Sequence, residues 1–153
     1  MSKINPKRAF AKDSFFVTPA TIATGWIAGQ LFKLNTTGDY AQLSTGNGNA
    51  VFVALDGPTE LAAPPTGSIV TGMYGAGTRF VIDHTPEVIA GNANRAYESD
   101  VESAAVNSYL YGSANGKWTS TGGISSSGSV LGQLLQIPSA SNNYRLEIKL
   151  LSL

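Results

Sequence analysis

The sequence predicts an all-β protein: a small β-barrel or a β-tulip or sandwich, in one reading made of two similar β modules, with an extended N-terminal arm. Three observations carry this. Apolar residues recur with a period of two in short segments rich in Val, Ile, Leu, Phe and Tyr, set apart by Gly, Asn, Ser and Pro clusters. Tight-turn sequences stand where hairpins need positive φ, at Thr37-Gly38-Asp39, Gly75-Ala76-Gly77 and Asn115-Gly116. Two stretches, 29–58 and 108–138, follow one pattern: Leu-aromatic, a polar Gly turn, an aromatic, a Ser/Thr/Gly loop, a Val-led apolar strand, then Pro.

Taken in order, residues 1–18 form the arm and 19–153 a single β domain, the usual size of one domain. Within residues 1–12 stand Lys3, Lys7, Arg8 and Lys12 and no acid, while the ten acidic residues all lie in 13–153 beside six basic ones. A net charge of zero therefore divides into a basic arm and a mildly acidic body. Pro6 and Pro19 disfavour a continuous helix across the arm. The first strand is expected at 15–18, so Phe15 and Phe16 belong either to the arm or to the body. Strands follow at 30–34, 40–44, 50–56, 68–74 and 78–83. Loops are expected at 61–67, where Ala-Ala-Pro-Pro cannot sit in a central strand, and at the Gly/Ser-rich 119–128. Residues 95–105 fit a short helix and an alternating strand equally well. Further strands are expected at 108–112, 117–120, 129–137 and 144–151. In the last, Tyr144, Leu146, Ile148 and Leu150 share one face, and Arg145, Glu147 and Lys149 the other.

The repeat aligns Leu31 with Leu110, Tyr40 with Trp118 and Val51 or Val53 with Val130, giving a pseudo-repeat of 25–83 and 105–151. Coincidence between Gly/Ser-rich β segments is the competing explanation.

Charged residues make up 13% of the chain, against about 25% in ordinary domains. Such a surface loses little hydration energy on packing against another protein. The absence of Cys excludes disulfides, thiolate metal sites and thiol nucleophiles. No apolar run reaches the roughly 18 residues of a transmembrane helix, and no apolar stretch follows the N-terminal cations to make a signal peptide. His84, beside Asp83, is the one His. Without a nucleophile-elbow motif it reads as a strand-end residue bonded to a neighbour rather than part of a triad. Glu98, Asp100 and Glu102 would share one face of a strand and could hold a hard cation there, or form a solvated acidic edge. The glycines of 72–80 lack the Lys and the following helix of a phosphate-binding loop. No catalytic residue, cofactor or metal is expected, and neither nucleic acid nor membrane is an expected partner. Trp26, Trp118 and the Tyr-rich 109–111 edge offer an alternative function, in which aromatics stack on sugars.

Three stretches show a resemblance to a known family: "AGQLFKLNTTGDYAQL", "NSYLYGSANGKWTST" and "GSVLGQLLQIPSASNNYRLEIKLL". Over residues 25–151 the chain resembles capsid decoration, or cement, proteins of tailed bacteriophages. The resemblance implies a β-barrel or β-tulip domain without enzymatic activity, made in the host cytoplasm and carried on the outer surface of the virion. It implies the major capsid protein as partner, homo-oligomers that are commonly trimers, and an N-terminal arm that orders on the lattice. In that reading Lys3, Lys7, Arg8, Phe10, Lys12, Phe15 and Phe16 are the partner-binding residues. The alternative is a receptor- or glycan-binding β module of a phage head or tail fibre.

Overall fold

The structure is a computed structural model. It describes residues 3–6, 11–46, 50–57, 69–84, 95–121 and 130–153, with the backbone alone for 3–6 and 11. Eleven strands appear among these residues: β1 (Lys3–Pro6), β2 (Ala11–Val17), β3 (Leu31–Leu34), β4 (Tyr40–Leu43), β5 (Phe52–Ala54), β6 (Ile69–Tyr74), β7 (Arg79–Asp83), β8 (Tyr109–Gly112), β9 (Trp118–Thr119), β10 (Gly132–Gln136) and β11 (Leu146–Leu150). The fold is all-β, and each strand expected from the alternation is present. The two loops expected at 61–67 and 119–128 lie wholly or mostly outside the described residues.

Five strands close a barrel in the order β2-β4-β3-β5-β6. Alternation makes the barrel possible. Phe15, Val17, Phe32, Ala41, Phe52, Ala54 and Val70 form one cluster inside it, joined by Ile22 and Trp26. Phe15, Phe52 and Phe32 stack in parallel at 5.2 and 5.4 Å, and Trp26 meets Phe32 edge-on at 5.9 Å. The Trp26 indole N–H donates to the Asp56 carbonyl at 2.9 Å, so its burial leaves no donor unpaired.

The other six strands form a sheet in the order β1-β7-β11-β10-β8-β9. Leu31, Val53 and Met73 alternate with the barrel's interior residues and therefore leave it on the outside. There they join Phe80, Ile82, Leu110, Trp118, Leu134, Leu146, Ile148 and Leu150 of the sheet in a second core. Polar contacts reinforce this layer. The Trp118 indole N–H donates to the Gly29 carbonyl at 2.8 Å, Gln30 Nε2 to the Asn115 carbonyl at 2.9 Å, and the Gly116 N–H to the Ser44 carbonyl at 2.8 Å. Gly116 has φ +69, and a Cβ there would stand 2.4 Å from the Leu31 carbonyl oxygen. Only glycine allows so close a backbone approach.

The segments paired in the repeat have the same connectivity. β3 pairs antiparallel with β4 and with β5, and β5 pairs antiparallel with β6. In the same manner β8 pairs with β9 and with β10, and β10 with β11. Leu31 lies opposite Val53, and Leu110 opposite Gly132. Tyr40 and Trp118 fall in equivalent strands but at different registers, because Asn35 bonds Tyr40 across one hairpin while Gly112 faces Trp118 across the other. Each unit also has a parallel contact at its first hairpin, which closes the barrel in one and is an isolated bridge in the other. In the barrel, Val17 pairs with Ala41 and the Thr18 N–H donates to the Ala41 carbonyl at 2.9 Å. In the second unit, Tyr97 bridges Trp118 in parallel and the Glu98 N–H donates to the Trp118 carbonyl at 2.8 Å. A helical turn follows each contact: α1 (Pro19–Thr24), capped by Thr18, and a 3-10 turn over Ser99–Ser103 that starts after Glu98.

Most of residues 1–18 lie in sheets. β1 lines the edge of the six-stranded sheet, with Lys3 opposite Asp83 and Pro6 opposite Phe80. β2 pairs with β6 from Ala11–Tyr74 to Phe16–Ile69 and forms one wall of the barrel. Residues 11–17 are thus built into the β domain. The boundary expected between residues 18 and 19 falls in the short connection from β2 to α1.

Candidate partner-binding surface

Alternation along β2 sends neighbouring residues to opposite sides. Phe15 enters the barrel and stacks on Phe52. Phe16 points out and stays 53% exposed. Its ladder partners are Tyr40 on β4 and Ile69 on β6, exposed by 44% and 52%. The Phe16 and Tyr40 rings lie 6.3 Å apart. Three large apolar side chains therefore stand side by side across three strands, and a closed barrel has no interior left to hold them.

Tyr40 is placed by its own turn. Asn35 Oδ1 accepts the N–H groups of Asp39 and Tyr40 at 3.0 and 3.2 Å and the Thr37 hydroxyl at 3.2 Å. On the other flank, the Thr18 hydroxyl accepts the Thr21 N–H and Pro19 occupies the first helical position, which starts α1. Between the two runs a groove of about 370 Å³, lined by Phe16, Val17, Thr18, Pro19, Ile22, Asn35 and Tyr40. None of its described lining residues is charged. Such a surface suits an apolar or neutral polar protein segment.

The residues expected in the arm separate accordingly. Phe16 is on this surface. Phe15 is a core residue, and Lys12 is exposed on β2 opposite Met73. Lys3 lies in β1 at the far sheet's edge. Lys7, Arg8 and Phe10 lie outside the described residues. Tyr40, Ile69, Pro19 and Ile22 belong to the same surface and lie outside the expected arm. Thr18-Pro19 is a helix-start signal that the alternation overshadowed, whereas nothing local marks Ile69 as exposed.

The acidic trio does not converge. Glu98 caps the 3-10 turn and Asp100 and Glu102 lie on it, none of them on a strand, and each carboxylate has its own partner. Glu98 accepts the Ser113 hydroxyl at 2.6 Å, Asp100 the Thr119 hydroxyl at 2.6 Å, and Glu102 the Arg95 guanidinium at 2.7 Å and the Tyr97 hydroxyl at 2.9 Å. Burial opposes ionisation of Asp100. The hydroxyls of Thr119, Thr121 and Ser120 and the Ser120 N–H outweigh it and hold the carboxyl below its ordinary range. Among the described residues no three metal-ligating side chains come together.

Both nitrogens of His84 are taken by backbone groups. Nδ1 lies 2.9 Å from the Tyr144 carbonyl and Nε2 accepts the Ala96 N–H at 3.3 Å. Asp83 instead meets Arg145 at 3.2 Å. The sugar-stacking alternative loses both of its indoles to the interior, since Trp26 is 5% and Trp118 0% exposed. Of the Tyr-rich edge, Tyr111 is buried and Tyr109 exposed. Among the described residues no helix is long and apolar enough to cross a membrane. Neither a protein-family model nor a curated protein matches this sequence.

Proposed function

We propose that the chain is a structural virion protein that binds the outer surface of an assembled phage capsid and cements neighbouring major capsid subunits. The carrying observation is the Phe16–Tyr40–Ile69 row with its uncharged groove, on the outer wall of a closed barrel. Large apolar side chains set side by side on a surface mark a site where another protein packs. The low charge of the chain and its resemblance to capsid decoration proteins support the same partner. A ligand that binds assembled shells and not free subunits stabilises the assembled state by linkage. Repetition over a lattice, and trimers of the kind the resemblance implies, would add avidity.

The test is cosedimentation with assembled shells and with unassembled capsid subunits. Wild type should bind shells alone. Phe16→Ala and Tyr40→Ala should each weaken binding about tenfold or more, the effect expected of central aromatic anchors, with unchanged circular dichroism. Binding should also resist added salt, because the groove carries no charge; a basic arm acting as the main anchor would make it salt-sensitive. Equal binding by the double variant would place the contact elsewhere. Equal binding to free subunits would remove the cementing role.

A further inference from the structure

His84 directly follows β7, and Ala96 lies 12 residues further along the chain. Between these points the imidazole acts as a clamp. Its Nδ1–H donates to the Tyr144 carbonyl, and its Nε2 lone pair receives the Ala96 N–H. The imidazole must be neutral for this arrangement, because Nε2 has to accept. Ala96 in turn accepts the Trp118 N–H at 2.9 Å, and Tyr97 forms the parallel bridge to Trp118. The strand-end histidine therefore holds the segment that bridges to β9 at the end of the sheet.

The surroundings fit a fastening point. Tyr144 has φ +57, a conformation that costs a bulky residue energy and persists only when its neighbours impose it. The Arg95 guanidinium lies 3.5 Å above the Tyr144 ring, and the Tyr97 ring meets His84 edge-on at 5.6 Å. Among the described residues, the charged and titratable groups facing the imidazole are Arg95, bound to Glu102; Asp83, bound to Arg145; and the Tyr97 hydroxyl, which donates to Glu102.

We propose that His84 is a proton-operated latch, in which protonation of Nε2 frees Ala96 and opens the Tyr97–Trp118 bridge. A proton from solvent turns Nε2 from acceptor into donor, so that it faces the Ala96 N–H donor to donor. The Nδ1–H bond to Tyr144 survives, so opening is confined to residues 95–98 and β9. The opened form exposes backbone N–H and C=O groups on the sheet's end strand. Burial, assisted by the neighbouring Arg95 charge and opposed by the Tyr144 carbonyl and Asp83, holds the closed imidazole below its ordinary range. The direction follows. The closed state is fully favoured above the free imidazole value of about 6.5, and loses stability as pH falls from there toward the lower closed-state value. Within that window the opening constant rises by up to about tenfold per pH unit. The latch operates in the chain whatever the barrel binds.

The test is residue-resolved amide exchange on the full chain from about pH 8 to about pH 4, corrected for intrinsic rates, alongside a ¹⁵N titration of the imidazole. The amides of Ala96, Glu98 and Trp118 should lose protection in step with the imidazole, while that of Thr18 in the barrel closure should not. His84→Gln retains an acceptor without titrating, and should make protection at Ala96 independent of pH. Protection at Ala96 that persists while the imidazole titrates, or that falls equally in His84→Gln, overturns the latch. So does an imidazole that stays neutral throughout. Should His84→Gln fail to fold, coincidence or separation of the two wild-type midpoints decides the question alone.

Discussion

Gly72 lies in β6 beneath the ring of Phe52, where a Cβ would stand 2.1 Å from Cδ2. The ring has little room to move aside, because Phe15 and Phe32 both stack against it. Gly77 is a different case, with φ +87 and no atom within 4 Å of its Cβ position. Gly77→Ala therefore costs only the left-handed backbone term, about 1–2 kcal/mol. Gly72→Ala forces the stack apart and should cost more, about 3 kcal/mol by the larger overpacking values. Urea denaturation of both variants checks this. Equal losses would mean that the aromatic stack yields easily. A glycine in a strand signals close approach in any sequence, but the ring it makes room for belongs to β5 and is known only once the barrel is closed.

At the scale of elements, the N-terminal segment illustrates how composition and patterning diverge. Its cations and prolines point to an arm, and its residues 11–17 alternate weakly. In the structure β2 pairs with β6 over six residues and with β4 over two, and carries Phe15 and Val17 into the core. β1 instead adds one edge strand to a sheet that has five others. Deleting residues 1–6 should leave a cooperatively folding β protein, whereas deleting residues 1–17 should abolish cooperative folding, since it opens the barrel and removes two core side chains. Thermal melts followed by circular dichroism would separate the two. A sharp transition in the longer deletion would show that the remaining strands close without β2. α1 was missed for a related reason. Its six residues are too few for a helical period, and only the Thr18 cap, Pro19 and the terminal Gly25 mark it.

The described strands form two units, a closed barrel and a six-stranded sheet, that share a core. Leu31, Val53 and Met73 leave the barrel to pack with the sheet's residues, so neither unit can unfold without exposing the other's apolar face. Each fully buried Leu, Ile or Phe contributes about 1.5–3 kcal/mol, and the nine such side chains in the shared core outweigh the polar bonds across it. A single cooperative transition should result. Trp26 lies in the barrel cluster and Trp118 in the shared core. Trp118→Phe leaves the first as reporter and Trp26→Phe the second. Corrected for each variant's own stability, both should report the same midpoint as circular dichroism. If either variant's emission changes at a lower denaturant concentration than its circular dichroism, the two units melt separately.

The strands and the positive-φ turns were legible in the sequence. All of these rest on local chemistry: side-chain alternation, the conformational range of Gly and Asn, and spacing along the chain. No nucleophile-elbow motif accompanies His84 in the sequence. Tertiary structure alone decided which face of each strand lies inside, because alternation is blind to direction. Phe15 and Phe16 are adjacent and chemically identical, yet one is core and the other surface, since only closure of the ring between β4 and β6 defines an interior. The same holds for Leu31 and Phe32, which serve two different cores. The bonds of His84 to Tyr144 and Ala96 join positions 60 and 12 residues away. Contacts of that separation leave no periodic trace, and they exist because β7 and β11 pair antiparallel and bring Asp83 and Tyr144 to the same end of the sheet.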